Sequence, residues 1–102
     1  MIHVIATIEL AQGRRQAFLE EFHKIVSEVC QEDGCIEYGP TVDVATDLGA
    51  QQPVRENVVT VIEKWESIAA LKAHMSAPHM QQYRSKVKEW VLSTRLFILE
   101  PA

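Results

Sequence analysis

At 102 residues, 47% of them hydrophobic and with only four glycines and four prolines, the chain has the make-up of one folded domain rather than a disordered segment. A formal net charge of −4 gives no electrostatic footing for DNA, RNA or an anionic membrane surface. No apolar stretch approaches the roughly 20 residues that span a bilayer, and no basic, signal-like leader precedes the first strand-like run, so a cytoplasmic location is expected.

Residues 2–10 alternate, with Ile2, Val4, Ala6, Ile8 and Leu10 on one face and His3, Ile5, Thr7 and Glu9 on the other, which predicts a strand. Gln12-Gly13 breaks it. Phe18, Phe22, Ile25, Val26 and Val29 then recur at helical spacing, and Gly34 is placed to end that helix in a left-handed cap. Cys30 and Cys35 match neither a CxxC nor a zinc-type pattern and read as free thiols of a reducing compartment. A second strand is predicted from Cys35 to Val44, with Ile36, Tyr38, Pro40, Val42 and Val44 on a common face. Pro40 cannot donate to a ladder on both sides, which places this strand at a sheet edge.

Residues 45–56 follow neither period and form a loop. Asn57 to Trp65 reads as a central strand, apolar on both faces. Ser67 is positioned to cap a short helix holding Ile68, Leu71 and His74, and Pro78 sits in the first turn of a last helix. Tyr83, Val87, Trp90 and Val91 form its apolar stripe, and a closing strand follows at residues 94–99. The order describes an α+β, ferredoxin-like βαββαβ sandwich occupying residues 1–102 as a single domain. Two long helices cover one face of such a sheet. Ile5, Phe97 and Leu99, with either Val58 and Ile62 or their neighbours, would then lie uncovered on the other, which predicts a sheet-to-sheet homodimer.

Three segments carry candidate chemistry: residues 34–38, 63–67 and 74–79. Glu63 either faces the helices, where apolar surroundings would raise its pKa towards that of a useful base, or faces away and pairs with a cation. His74 ends the short helix and His79 begins the next, each a candidate base or a simple helix-end contact. Their spacing is not that of a helical metal pair, so no metal is expected. Trp65 and Tyr38 either stack on a flat ligand or belong to the core, and Trp90, Phe18 and Phe22 are assigned to packing. No glycine-rich phosphate loop, dinucleotide fingerprint or serine elbow is present.

The runs Glu32-Asp33-Gly34-Cys35 with Tyr38 and Pro40, Ile62 to His74 through Trp65-Glu66-Ser67, and Pro78-His79-Met80 with Tyr83 and Val87-Lys88 resemble the antibiotic biosynthesis monooxygenase domains, closest to their bacterial quinol monooxygenase branch. The resemblance implies a dimeric α+β barrel with a pocket between sheet and helices in each subunit. It also implies oxidation of a quinol or hydroxylated aromatic by O₂ without metal, flavin or other cofactor, with a quinone reductase as the partner that supplies the quinol. On that reading His74, Glu63 and His79 supply the base, and Tyr38, Trp65 and Tyr83 bind the substrate. Haem-degrading relatives carry an Asn in the first strand where Ala6-Thr7 stands here, which disfavours that activity, although Asn57 offers another amide. The same fold hosts isomerases or lyases of small oxygenated metabolites and non-catalytic ligand-binding modules, both kept as alternatives.

Overall fold

Period-two runs become strands and period-3.6 runs become helices along the whole chain. In the computed structural model, which describes residues 1–102, the order is β1 (Ile2–Leu10), α1 (Arg15–Cys30), β2 (Cys35–Thr41), β3 (Val58–Trp65), α2 (Ile68–Met75), α3 (Pro78–Val87) and β4 (Val91–Leu99). The strands pair antiparallel in the order β2-β3-β1-β4, so the architecture is the ferredoxin-like α+β one. No helix is long and apolar enough to cross a membrane.

The register decides which side chains share a face. Val4 lies opposite Glu63, Ala6 opposite Val61 and Ile8 opposite Val59. This row is buried beneath Phe18, Phe22, Ile25 and Val29 of α1, Leu71 of α2, and Met80, Tyr83 and Val87 of α3. Burying such aliphatic and aromatic side chains contributes about 1.5–3 kcal/mol each, which is what holds the helices on the sheet. Glu63 therefore belongs to the helix-facing row, and the alternative of an outward, cation-paired Glu63 is closed.

Several boundaries differ from expectation. β2 stops at Thr41, not Val44, and Val42 and Val44 are exposed. Asp43 accepts hydrogen bonds from Arg55 Nε and Nη2 at 2.8 and 3.0 Å, so the chain turns into its loop rather than continuing the ladder. A bulge between Cys35 and Glu37 also breaks the alternation, leaving Tyr38 buried and Ile36 exposed. Pro40 is at a sheet edge, as its missing N–H demands. α1 ends at Cys30, and left-handed Gly34 (φ +84°) lies beyond it, in the turn into β2. α3 ends at Val87, so Trp90 and Val91 are not part of its stripe. Trp90 accepts from Ala11 N at 2.8 Å, and β4 starts at Val91, three residues before the predicted start.

β4 is the least covered strand. Leu96 and Ile98 pair with Ala6 and Val4 and so share the helix-facing side, yet they are 43% and 49% exposed because no helix reaches this edge. On the far side the register aligns Ile62, Ile5 and Phe97 in one row across β3, β1 and β4, and Phe97 is 61% exposed.

Candidate active site

Glu63 and Trp65 stand two residues apart on β3 and so project from one face. The Trp65 indole Nε1 donates to Glu63 Oε1 at 2.9 Å. Burial raises the Glu63 pKa above the ordinary carboxylate value; the indole hydrogen bond opposes the rise and the neighbouring Glu32 charge adds to it. A carboxyl so placed favours its neutral form.

His74 is set by α2. Ser67 caps that helix, its Oγ accepting from Ala70 N at 3.1 Å, and two turns later His74 arrives on the buried side. Its ring lies 4.7 Å from that of Trp65 and 5.3 Å, edge-on, from that of Tyr38. Burial lowers the His74 pKa, and a hydrogen bond to Glu32 works against that. The imidazole is accordingly neutral at pH 7.

Between the helix-facing side of the sheet and α3 lies a cavity of about 490 Å³. Tyr38, Glu63, His74 and Tyr83 line it together with Ala6, Ile8, Phe22, Val61, Met80 and Leu96, and the exposed Arg84 and Lys88 stand at its mouth. Phe22, assigned to packing from the sequence, does both: it stacks on Tyr38 at 5.5 Å and forms cavity wall. Neither tyrosine hydroxyl has a hydrogen-bond partner in the protein, and neither is sealed off, since Thr60 Oγ1 is the one enclosed side-chain polar atom left unpartnered. Burial pushes both phenols well above their ordinary pKa, so both remain donors.

Four of the six sequence candidates thus meet on one cavity: His74, Glu63, Tyr38 and Tyr83. Trp65 does not line it. Fully buried, this indole lies behind His74 and holds Glu63, a supporting position rather than that of a ring holder. His79 faces a smaller cleft of about 170 Å³ between α1 and α3. Asn57 lies at a different cleft, by Arg55 and Ser93, away from the cavity that Ala6 lines. No group of three or more His, Cys, Asp or Glu side chains is arranged to hold a metal ion.

Sequence reasoning missed the role of Glu32. Its carboxylate lies 3.0 Å from His74 Nδ1 and 2.6 Å from His79 Nε2, joining two histidines from different helices. A signal was present. Glu28, Glu32 and Asp33 crowd the C-terminal end of a helix with no basic residue in its last turn, where the helix dipole disfavours negative charge. Carboxylates there need partners from elsewhere.

The family model for antibiotic biosynthesis monooxygenases matches residues 1–86. The chain belongs to this family. A curated member, "Probable quinol monooxygenase YgiN" of Escherichia coli (strain K12), is 45% identical over 103 residues, covering 99% of this chain and 98% of the relative. Membership and that relative together support a monooxygenase. Solved structures agree on the fold: PA3566 from Pseudomonas aeruginosa superposes with a TM-score of 0.82 at 23% identity, covering 99% of this chain and 93% of that one. A conserved protein from Methanosarcina mazei Go1 does so with a TM-score of 0.83 at 20% identity, covering 99% and 92%.

Proposed function

We propose that this chain is a cofactor-independent monooxygenase that oxidises a quinol or related hydroxylated aromatic with O₂. The observation that carries the reading is the placement of His74: a buried imidazole on the wall of a largely apolar cavity, held through Nδ1 and with its Nε2 free of any partner in the protein. A quinol hydroxyl has a pKa near 10, so about one molecule in a thousand is ionised at neutral pH. A base within hydrogen-bond reach raises that share, and general-base effects run roughly 10²–10⁴-fold. The quinolate is a far better one-electron donor to O₂ than the neutral quinol. Arg84 and Lys88 at the mouth favour the anion, and the protonated Tyr38 and Tyr83 hydroxyls offer donors to its oxygens.

The overall change balances without a further reductant. Quinol plus O₂ gives hydroxyquinone plus water, one oxygen atom entering the ring and the other leaving as water. The four electrons that O₂ gains come from the substrate. A quinone reductase is the class of partner that would supply quinol. The cavity's size lies within the range of pockets that enclose small organic ligands.

One observation favours a second reading. Glu63, held towards its neutral form, and His74, a neutral base, face the same cavity, which is an acid–base pair fit for isomerising a small oxygenated molecule without O₂. Anaerobic incubation with a panel of quinols, followed by admission of ¹⁸O₂, separates the possibilities. The proposal expects O₂ consumption and one ¹⁸O atom in the product. Conversion before O₂ is admitted would indicate isomerisation, and saturable binding without turnover would indicate a ligand-binding module.

A further inference from the structure

Four side chains form a continuous line from the cavity to the surface. His74 Nδ1 lies 3.0 Å from Glu32 Oε2, the same oxygen lies 2.6 Å from His79 Nε2, and His79 Nδ1 lies 3.2 Å from Glu28 Oε2. Exposure rises along it, with side chains at 2%, 15%, 17% and 61%. The line joins α2, the turn after α1, α3 and the last turn of α1, so no single element's sequence pattern accounts for it.

We propose that Glu32 is a positioning residue, which fixes the His74 proton on Nδ1 and leaves Nε2 as the acceptor facing the cavity, and that His79 and Glu28 carry the abstracted proton onward to solvent. The inference rests on reading His74 as the base. A carboxylate only accepts, so His74 must donate from Nδ1 to Glu32, and in a neutral ring Nε2 then holds the lone pair. His79 has a carboxylate oxygen at each ring nitrogen, so it can take a proton at Nε2 from one and give one up at Nδ1 to the other. The proton balance is simple. A substrate hydroxyl proton arrives at His74 Nε2, the Nδ1 proton passes to Glu32 and on to His79 Nε2, and the His79 Nδ1 proton leaves through Glu28 to water; one proton returns along the same line when the second oxygen atom leaves as water, which restores the His74 tautomer and leaves no net proton released. No electron moves along the line.

Besides Glu32, the titratable and charged groups around His74 are Tyr38 of β2, Glu63 of β3, and His79 and Arg84 of α3. Glu32→Gln keeps the shape of the side chain and removes its charge. Ring ¹⁵N NMR at pH 8, where no substrate is needed, should show His74 protonated at Nδ1 in the wild type and a mixed or reversed tautomer in Glu32→Gln. With a quinol that the wild type turns over, Glu32→Gln should lower kcat about tenfold at pH 7 with KM little changed, and shift the acid limb of the pH profile. His79→Gln, which leaves both cavity and Glu32 in place, should slow turnover several-fold and be rescued by added imidazole, to which the wild type is indifferent. A wild-type His74 protonated at Nε2, or a tautomer unmoved by Glu32→Gln, would overturn the positioning role. An unaltered His79→Gln enzyme, or one that imidazole leaves slow, would overturn the exit path. If no quinol is turned over by the wild type, the proposed activity falls, while the NMR result still decides what Glu32 does.

Discussion

At the scale of single residues, two groups in one cavity titrate in opposite directions from their ordinary values. The folded-state pKa of Glu63 is raised, so its contribution to stability is fully present below its unfolded value of about 4.5 and is lost as pH rises through the folded value. Glu63→Gln retains an oxygen for the Trp65 N–H and cannot ionise. It should therefore melt above the wild type at pH 8, with the difference closing as pH approaches 4; equal melting curves at both pH values would contradict a buried, reluctantly ionised carboxyl. The folded-state pKa of His74 is lowered, so its contribution is present above about 6.5 and is lost as pH falls through the folded value. The acid limb of kcat should accordingly lie below pH 6.5, and a limb above that value would point to another base. Alternation placed Glu63 and Trp65 on one face but not which face, because only the pairing of Val4 with Glu63 decides that. Glu32 was legible only as a charge beside a turn: what gives it meaning is two histidines more than forty residues away in sequence.

At the scale of elements, the turn between α1 and β2 is the most constrained joint. Gly34 has φ +84°, and a Cβ built there would lie 2.5 Å from Ala70 Cβ of α2. Gly34→Ala meets both a left-handed backbone, about 1–2 kcal/mol for a non-glycine residue, and an overpacked contact of about 1–3 kcal/mol. The urea midpoint should drop by an amount equivalent to roughly 2–5 kcal/mol. An unchanged midpoint would mean that α2 can move aside freely. Because the same turn carries Glu32, this variant should also disturb the His74 tautomer. The strands and helices themselves were readable wherever period and burial agree, as in β1 and α1. β2 and the junction of α3 with β4 were not. A bulge, the Asp43–Arg55 pair and the Trp90 contact with Ala11 set those limits, and all three are tertiary.

At the scale of the whole molecule, one chain leaves too much apolar surface uncovered. Ile5, Ile62 and Phe97 form an outward row, and Leu96 and Ile98 are open on the opposite side of β4. A second copy is the occupant we expect, its sheet laid against this one. Sedimentation at micromolar concentration should give twice the mass of the chain. Phe97→Asp should shift it to the monomer, since an unpaired charge in a buried interface costs several kcal/mol. A well-folded wild-type monomer at that concentration would contradict this. The outward row was foreseen from the sequence through Ile5, Phe97 and Leu99. The exposure of Leu96 was not, because strand order alone does not say how far the helices reach.

The central claim is that His74 ionises a substrate hydroxyl inside the cavity, and the pH dependence of His74→Ala tests it most directly. With circular dichroism confirming an intact fold, quinol-dependent O₂ uptake should fall at least about tenfold at pH 7. The deficit should shrink as pH rises towards the quinol pKa near 10, where hydroxide performs the deprotonation unaided. Turnover unchanged at pH 7, or a deficit that stays constant up to pH 10, would contradict the account.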